Sequence, residues 1–259
     1  QLDKKKKISI CFYLAAESLV ESGHDNPYHT FHTNVLGTLN ILELARIHAL
    51  EKVIISSSSH VYGDNKLPYK EKYTPKPTRP YETSKTCTDI IAQSYADSFN
   101  LPVLIGRFIN IYGPGDKNFN RLIPKTIKSV FTGDSPTMWG GRVIREYLFI
   151  DDAISAYLTL AMHTPPQIKS NRIFNFGSGT KMAVEEVINK IILLTGINTT
   201  ILTIPTARVD EIKKQYVSWT KAKRVLGWKP QVRFDEGLQK TVLWYKDYFK
   251  KTKHTSKEF

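Results

Sequence analysis

The sequence predicts an α/β protein, a doubly wound parallel sheet joined to a smaller α/β lobe. Three observations carry this. Short apolar runs of strand length, such as KVIISS at 52–57, alternate with amphipathic helical stretches. Those runs carry consecutive apolar residues, such as Val53 to Ile55, rather than one at every second position, as strands do when helices cover both faces of a sheet. The stretches between them are long enough to hold a helix, which parallel neighbours require.

Ile8 to Ala16 reads as a buried strand ending in small residues. Asp25 or Asn26 can cap the next helix with Pro27 at its first position, and Phe31, Val35, Leu39, Leu42 and Ala45 follow at helical spacing. A strand at Lys52 to Ser57 completes the first crossover unit. The pattern continues with a helix from Thr83 to Phe99, a strand Val103 to Arg107 and a helix Leu122 to Phe131. A strand Tyr147 to Ile150, a helix Ala153 to Met162 and a strand Ile173 to Phe176 follow. Beyond Gly177, a helix Val184 to Leu194, a strand Ile201 to Ile204 and helices Thr220 to Leu226 and Glu236 to Phe249 make the second lobe. The expected division assigns 1–112 and 146–177 to one domain, and 113–145 and 178–259 to the other.

A hydrophobic content of 41% in 259 residues supports a full core and excludes the disordered and fibrous classes. Ile8 to Ala16, the longest apolar run near the start, is too short to cross a bilayer, so no membrane partner is expected. Cys11 and Cys87 lack neighbours at metal-ligand spacing, so neither a metal site nor a disulfide framework is expected, and a reducing cytoplasm fits. The net charge of +13 raises the question of a polyanionic partner. Part of the excess sits in Lys4–Lys7 and in Lys250, Lys251, Lys253 and Lys257, and no nucleic-acid motif accompanies it. A basic cleft for a dinucleotide and a diphosphate-bearing small molecule accounts for the sign equally well.

Tyr81 and Lys85 open an amphipathic helix four residues apart, hence on one face. Spacing alone proves little, because chance supplies roughly one or two such pairs in a chain this rich in both residues. Tyr62 and Lys66 form a second, but Gly63-Asp64-Asn65 between them is a turn. A phenol has an ordinary pKa near 10, and a cation such as Lys85 favours its phenolate, which makes Tyr81 a candidate base for a sugar hydroxyl. Ser58, at the carboxyl end of the KVIISSSS strand, can complete the proton path on the sheet edge where ligands bind in such folds.

Six segments follow one another in a recognisable order. They are SSSSHVYG at 56–63, YETSK at 81–85, RFINIYGPGD at 107–116, VIREYLFIDD at 143–152, FNFGSG at 174–179 and SWTKAKRVLGWKP at 218–230. Together with FYLAAES at 12–18 and TNVLGT at 33–38, they resemble the extended short-chain dehydrogenase/reductase family, specifically its NAD-dependent nucleotide-sugar epimerase/dehydratase branch. The resemblance implies a Rossmann-like dinucleotide-binding domain and a nucleotide-sugar-binding lobe. It makes Ser58, Tyr81 and Lys85 the catalytic triad, with Lys85 also holding the cofactor ribose. It places Ala15, Ala16, Asn34 and Ser56 along NAD, Asn110 at the sugar or its phosphates, and Arg121, Arg145 and Arg208 on the diphosphate. A homodimer through helices at about 29–48 and 83–99 is carried over in the same way.

Two departures qualify the pattern. The family opens with a glycine-rich turn whose helix N-terminus receives the pyrophosphate, and no G-x-x-G-x-x-G stretch lies in these 259 residues. The expectation is an N-terminally truncated fold with an exposed apolar edge at Ile8 to Ala16. The acidic pair that follows the catalytic hydroxyl in 4,6-dehydratases is replaced by Ser59 and His60. That favours a 4-epimerase acting by transient oxidation at the sugar C4. A 4,6-dehydratase of the CDP-glucose or GDP-mannose type stays open, because Asn118 to Pro124 resembles the former and His60 would then have to help. His60 otherwise reads as a packed or solvated loop histidine. A catalytically silent nucleotide-sugar-binding relative is the alternative from another class.

Overall fold

The computed structural model describes residues 8–140, 143–163, 171–205 and 212–255. In chain order its elements begin with β1 (Ile10–Tyr13), α1 (Val20–Asp25), α2 (Pro27–Phe31), a π-helical turn (His32–Leu36), α3 (Gly37–Ile47) and β2 (Lys52–Ser58). A 3₁₀ turn (Ser59–Tyr62), α4 (Pro80–Phe99), β3 (Val103–Phe108), β4 (Asn110–Tyr112), α5 (Leu122–Thr132), β5 (Thr137–Trp139), β6 (Ile144–Phe149), α6 (Ile150–Met162) and β7 (Ile173–Phe176) follow. The chain continues through β8 (Lys181–Ala183), α7 (Val184–Thr195), β9 (Leu202–Ile204), β10 (Lys214–Gln215), α8 (Thr220–Leu226) and α9 (Phe234–Thr255).

Two compact units result. The first comprises Gln1–Ile109, Ile154–Gly177 and Val217–Lys229, and the second Asn110–Ala153, Ser178–Tyr216 and Pro230–Phe259. The boundaries differ from the expected ones for reasons of pairing. Residues 110–112 and 146–149 belong together because β4 pairs with β6 along Asn110↔Tyr147 to Tyr112↔Phe149. Residues 217–229 join the first unit because Ser218 N donates to Tyr69 O (2.8 Å), Lys221 Nζ donates to Ile173 O (2.6 Å), and Trp228 stands edge-on to Phe176.

The first unit holds a parallel sheet in the order β1-β2-β3-β7. The central strand β2 presents Val53, Ile54 and Ile55, all fully buried, as expected of a strand flanked on both sides and covered on both faces. α3 and α4 cover one face through Leu42, Ala45, Ala92 and Ala96 against Val53, Ile55, Val103 and Ile105. β1 does not match the expected buried strand of 8–16. It is four residues long, and Ile8, Ile10, Phe12 and Leu14 are exposed, because it pairs with β2 alone among the described residues and one of its faces is uncovered.

Asn26, one of the two expected caps, accepts a hydrogen bond from His29 N (3.0 Å), with Pro27 at the first helical position. The helix that follows is not the single α-helix its spacing suggests, since a π turn interrupts it at 32–36. At this turn the Asn34 carbonyl accepts from Thr38 Oγ1 (2.6 Å) and, from far along the chain, Thr88 Oγ1 on α4 (3.1 Å).

In the second unit, β6 pairs with β10, β4 and β8. α5, α7 and α9 supply Ile123, Ile127, Val187, Ile191, Leu238, Val242 and Tyr245 to one apolar core with Tyr112, Tyr147 and Phe149. No helix among the described residues is long and apolar enough to cross a membrane.

Candidate active site

β2 delivers its last residues to the carboxyl edge of the first unit's sheet. Ser58 ends the strand in an extended conformation, and its Oγ accepts from His60 N (3.2 Å), which starts the 3₁₀ turn. The chain then reverses at Gly63, whose φ of +52° and 1.8 Å approach of a would-be Cβ to the Lys76 carbonyl admit only glycine.

α4 starts directly beside this turn. Pro80 occupies the first helical position, and the Glu82 carboxylate turns back to accept from Thr78 N (3.1 Å), Thr78 Oγ1 (3.2 Å) and Arg79 N (3.3 Å). Arg79 Nε adds a charge-assisted bond of 2.9 Å. Burial pushes the Glu82 pKa up, but hydrogen bonds from His60, Arg79 and Thr78 outweigh it and hold the carboxyl at about 2. His60 Nδ1 lies 3.5 Å from Glu82 Oε1, and its ring meets Tyr81 edge-on with centroids 5.6 Å apart.

Tyr81 and Lys85 are both buried, one helical turn apart. Gly23 of α1 packs so closely on the start of the Tyr81 side chain that a Cβ there would stand 3.1 Å from Tyr81 Cβ. Lys85 Nζ donates to the Ser56 carbonyl (3.0 Å), and burial lowers its pKa to about 8. Two of its three N–H donors have no acceptor among the described residues. Ser56 Oγ is hydrogen-bonded to Tyr157 OH on α6 (2.8 Å), so the Ser56 hydroxyl faces the protein and its carbonyl anchors Lys85.

Ala15 and Ala16 follow β1 at the same sheet edge. Asn34 is buried with its amide fully used: Nδ2 donates to Glu17 O (2.9 Å) and Ser84 Oγ (2.8 Å), and Oδ1 accepts from Glu17 N (2.8 Å). It ties the loop after β1 to α4.

A buried ion pair that local sequence pattern does not reveal lies behind this edge. Arg107 Nε and Nη2 donate to the two Asp89 oxygens at 2.7 and 3.0 Å, Ser57 Oγ donates to Asp89 at 3.0 Å, and the guanidinium lies over Tyr62 at 4.9 Å. Tyr62 in turn donates to Asn175 Oδ1 (2.7 Å). The available signal was Asp89 four residues beyond Lys85, an acid on the buried face of the helix.

The second unit carries the remaining candidates. Asn110 Nδ2 donates to the Glu146 carbonyl (3.3 Å). Arg121 stands at the start of α5 and pairs with Asp116 (3.0 Å). Arg145 on β6 donates to the Ile144 carbonyl (3.1 Å), and Gln215 of β10 lies beside it in register. Gln215 is buried, and neither of its amide atoms has a partner among the described residues. Arg208 lies outside the described residues.

The chain is similar to known nucleotide-sugar epimerases and dehydratases. The family model described as GDP-mannose 4,6 dehydratase matches residues 2–241. A mouse (Mus musculus) dTDP-D-glucose 4,6-dehydratase is 30% identical over 97% of this chain and 72% of its own length. The solved UDP-glucose 4-epimerase of Thermotoga maritima, in complex with UDP-glucose, superimposes with a TM-score of 0.86 at 28% identity, over 93% of this chain and 78% of that one. A Bacillus anthracis dTDP-glucose 4,6-dehydratase in complex with NAD superimposes with a TM-score of 0.82 at 27% identity, over 94% and 74%. With the family model spanning nearly all of it and these relatives in accord, this chain belongs to the NAD-dependent nucleotide-sugar epimerase/dehydratase family and is one of its enzymes.

Proposed function

We propose that the enzyme transiently oxidises the C4 hydroxyl of a nucleotide sugar, with 4-epimerisation as the outcome read first. The observation that carries this is the pairing of Tyr81 with Lys85 on one buried helix face beside the end of β2. Tyr81 accepts the C4 hydroxyl proton, Ser58 shares a hydrogen bond with the same oxygen, and the Lys85 ammonium favours the phenolate. NAD, when bound, supplies a hydride acceptor that returns what it takes. Lys85 fits such a ligand, since a buried ammonium with two unused donors suits a pair of ribose hydroxyls. Ala15 and Ala16 leave room at the adjoining loop, and the Asn34 amide and the Ser56 carbonyl hold the frame around it.

On this reading the first unit is the dinucleotide-binding domain and the second binds the nucleotide sugar. Asn110, Arg121, Arg145 and Arg208 contribute there, the guanidinium groups clamping the diphosphate. Dehydration shares the C4 oxidation and adds loss of water between C5 and C6, which requires a second proton-transfer group. Homodimerisation through α3 and α4 is supported by exposed Leu44, Ile47, Ile90 and Phe99, and cytoplasmic residence by the unpaired Cys11 and Cys87.

The experiment is to denature the purified full-length protein and identify any released small molecule by absorbance and mass. The protein, supplied with NAD, is then incubated with UDP-glucose, dTDP-glucose, CDP-glucose and GDP-mannose, and the products are resolved by mass and NMR. A C4 epimer or a 4-keto-6-deoxy sugar supports the proposal. Binding of the sugars that survives Tyr81→Phe, with no NAD bound and no product, favours a silent binding protein instead.

A further inference from the structure

We infer that the buried hydrogen bond between Ser57 and Asp89 is a positioning device, which fixes the end of β2 against α4 so that Lys85 and Ser58 keep their places relative to Tyr81. This rests on the C4 oxidation proposed above and adds two positioning residues that act through their neighbours. Alternation along β2 sends Val53, Ile55 and Ser57 to the face that α3 and α4 cover, and Ser56 and Ser58 to the other. On the covered face the contact changes character along the strand. Val53 and Ile55 pack into one apolar cluster with Ala92 and Ala96 of α4, whereas Ser57 Oγ donates to Asp89 (3.0 Å), nearer the start of that helix. Asp89 cannot follow a moving strand. It is fully buried, Arg107 Nε and Nη2 hold its two oxygens at 2.7 and 3.0 Å, and Gln93 Nε2 donates to it at 2.8 Å. Arg107 is itself the register partner of Ser57 on β3, so one carboxylate ties two adjacent strands to the helix.

The tether stands where the strand has least support. β1 pairs with β2 only as far as Tyr13↔Ile55, so among the described residues Ser56, Ser57 and Ser58 are paired on β3 alone. Those three residues are the ones that serve the site. The Ser56 carbonyl accepts from Lys85 Nζ (3.0 Å), and Ser58 ends the strand. Lys85 and Asp89 lie one helical turn apart on α4 and hold successive residues of β2, so the two bonds together set the register of the strand end against the helix. A hydrogen bond fixes distance and direction, whereas an apolar contact tolerates a slide. A slide of about 1 Å at a reacting centre can cost on the order of 100-fold in rate. Stability by itself does not account for a carboxylate here, because a buried ion pair gains little over apolar residues of the same volume.

The test compares wild type, Ser57→Ala and Ser57→Thr as full-length protein supplied with NAD and with whichever of the four nucleotide sugars named above it converts. Alanine deletes one oxygen and leaves Arg107 and Gln93 on Asp89, while threonine keeps the hydroxyl and suits a strand. Thermal melting and the stoichiometry of sugar binding by calorimetry count the folded enzyme, and kcat per binding site reports the geometry. The expected result in Ser57→Ala is a kcat per binding site about tenfold lower, from a shift smaller than a full ångström. KM stays within about twofold of wild type, the mark of an effect on the transition state alone. Stoichiometry is unchanged, the melting temperature moves by no more than about 4 °C, and Ser57→Thr recovers most of the lost kcat. An unchanged kcat per binding site in Ser57→Ala, a loss confined to KM, or a threonine variant no faster than the alanine one overturns the positioning role and leaves the C4 oxidation standing. Wild type that neither converts any of the sugars nor reduces its nicotinamide with them overturns the C4 oxidation itself, and the positioning role with it.

Discussion

The two units hold their chemistry-bearing side chains in opposite ways. In the first, Tyr81, Glu82 and Lys85 are buried in one short helical stretch, and the Asp89–Arg107 pair lies behind them. In the second, Arg121 is 41% exposed and already tied to Asp116, and Arg145 sits near the start of a strand with its guanidinium on a main-chain carbonyl. Under the proposed function the difference suits the two tasks. Proton transfer demands fixed distances in a water-poor setting, whereas a phosphate clamp works by charge and reach and tolerates a solvated, flexible cation.

Tyr81→Phe sharpens the contrast most. It removes one oxygen from a packed ring, so turnover should fall about 1,000-fold while thermal stability and nucleotide-sugar affinity stay near wild type. A large drop in melting temperature would show that the hydroxyl is structural. Next comes Asp89→Asn, which leaves Arg107 buried without its counter-charge and should cost about 3–5 kcal/mol in urea unfolding. An effect below about 1 kcal/mol would place the pair in the same class as surface ion pairs.

The third prediction uses acid. The Glu82 carboxyl is held at about 2, below its ordinary 4.5, so the folded state binds fewer protons there than the unfolded chain. Its stabilisation is complete above the ordinary carboxylate range and is lost as pH falls toward about 2. Glu82→Gln should flatten the stability–pH curve in that window and leave its slope above pH ~6 unchanged. An unaltered acid limb would break the idea that this carboxylate is held by its neighbours.

In the second unit, Arg145→Met should raise KM for the nucleotide sugar roughly tenfold or more with kcat within about twofold, the mark of binding energy common to ground and transition states. A matched loss of kcat would move Arg145 into the chemistry. Smallest of all, Asp116→Asn should change stability by about 1 kcal/mol or less, because Arg121 is 41% exposed and its charge stays solvated without the pair.

Local pattern sufficed wherever a segment's neighbours in sequence are also its neighbours in space. α8 occupies Thr220–Leu226 and β7 Ile173–Phe176 as their spacing predicts, and α5 and α7 each extend one residue beyond the reading. The candidate proton-transfer residues were legible for a related reason: Tyr81 and Lys85 share one helix, and Ser58 ends one strand. What escaped the reading depends on partners far away in the chain. The short strands β4, β8 and β10 exist through pairing with β6, and α6 starts at Ile150 rather than Ala153. The Asn34 carbonyl at the π turn is bonded to Thr88, 54 residues on, and the Asp89–Arg107 pair joins α4 to β3.

The sequence by itself thus determined the alternation of strands and helices, the basic character of the chain and the identity of the residues that face the sheet edge. Each of those follows from side-chain period and composition. Tertiary structure alone decided that β1 exposes one apolar face while β2 is sealed on both, that Asn34 and Ser56 spend their polar groups on the protein, and that Glu82 stands behind His60. Burial and hydrogen-bond partnership are properties of three-dimensional neighbourhoods, and a periodicity of two or 3.6 residues carries no information about which distant segment supplies the neighbour.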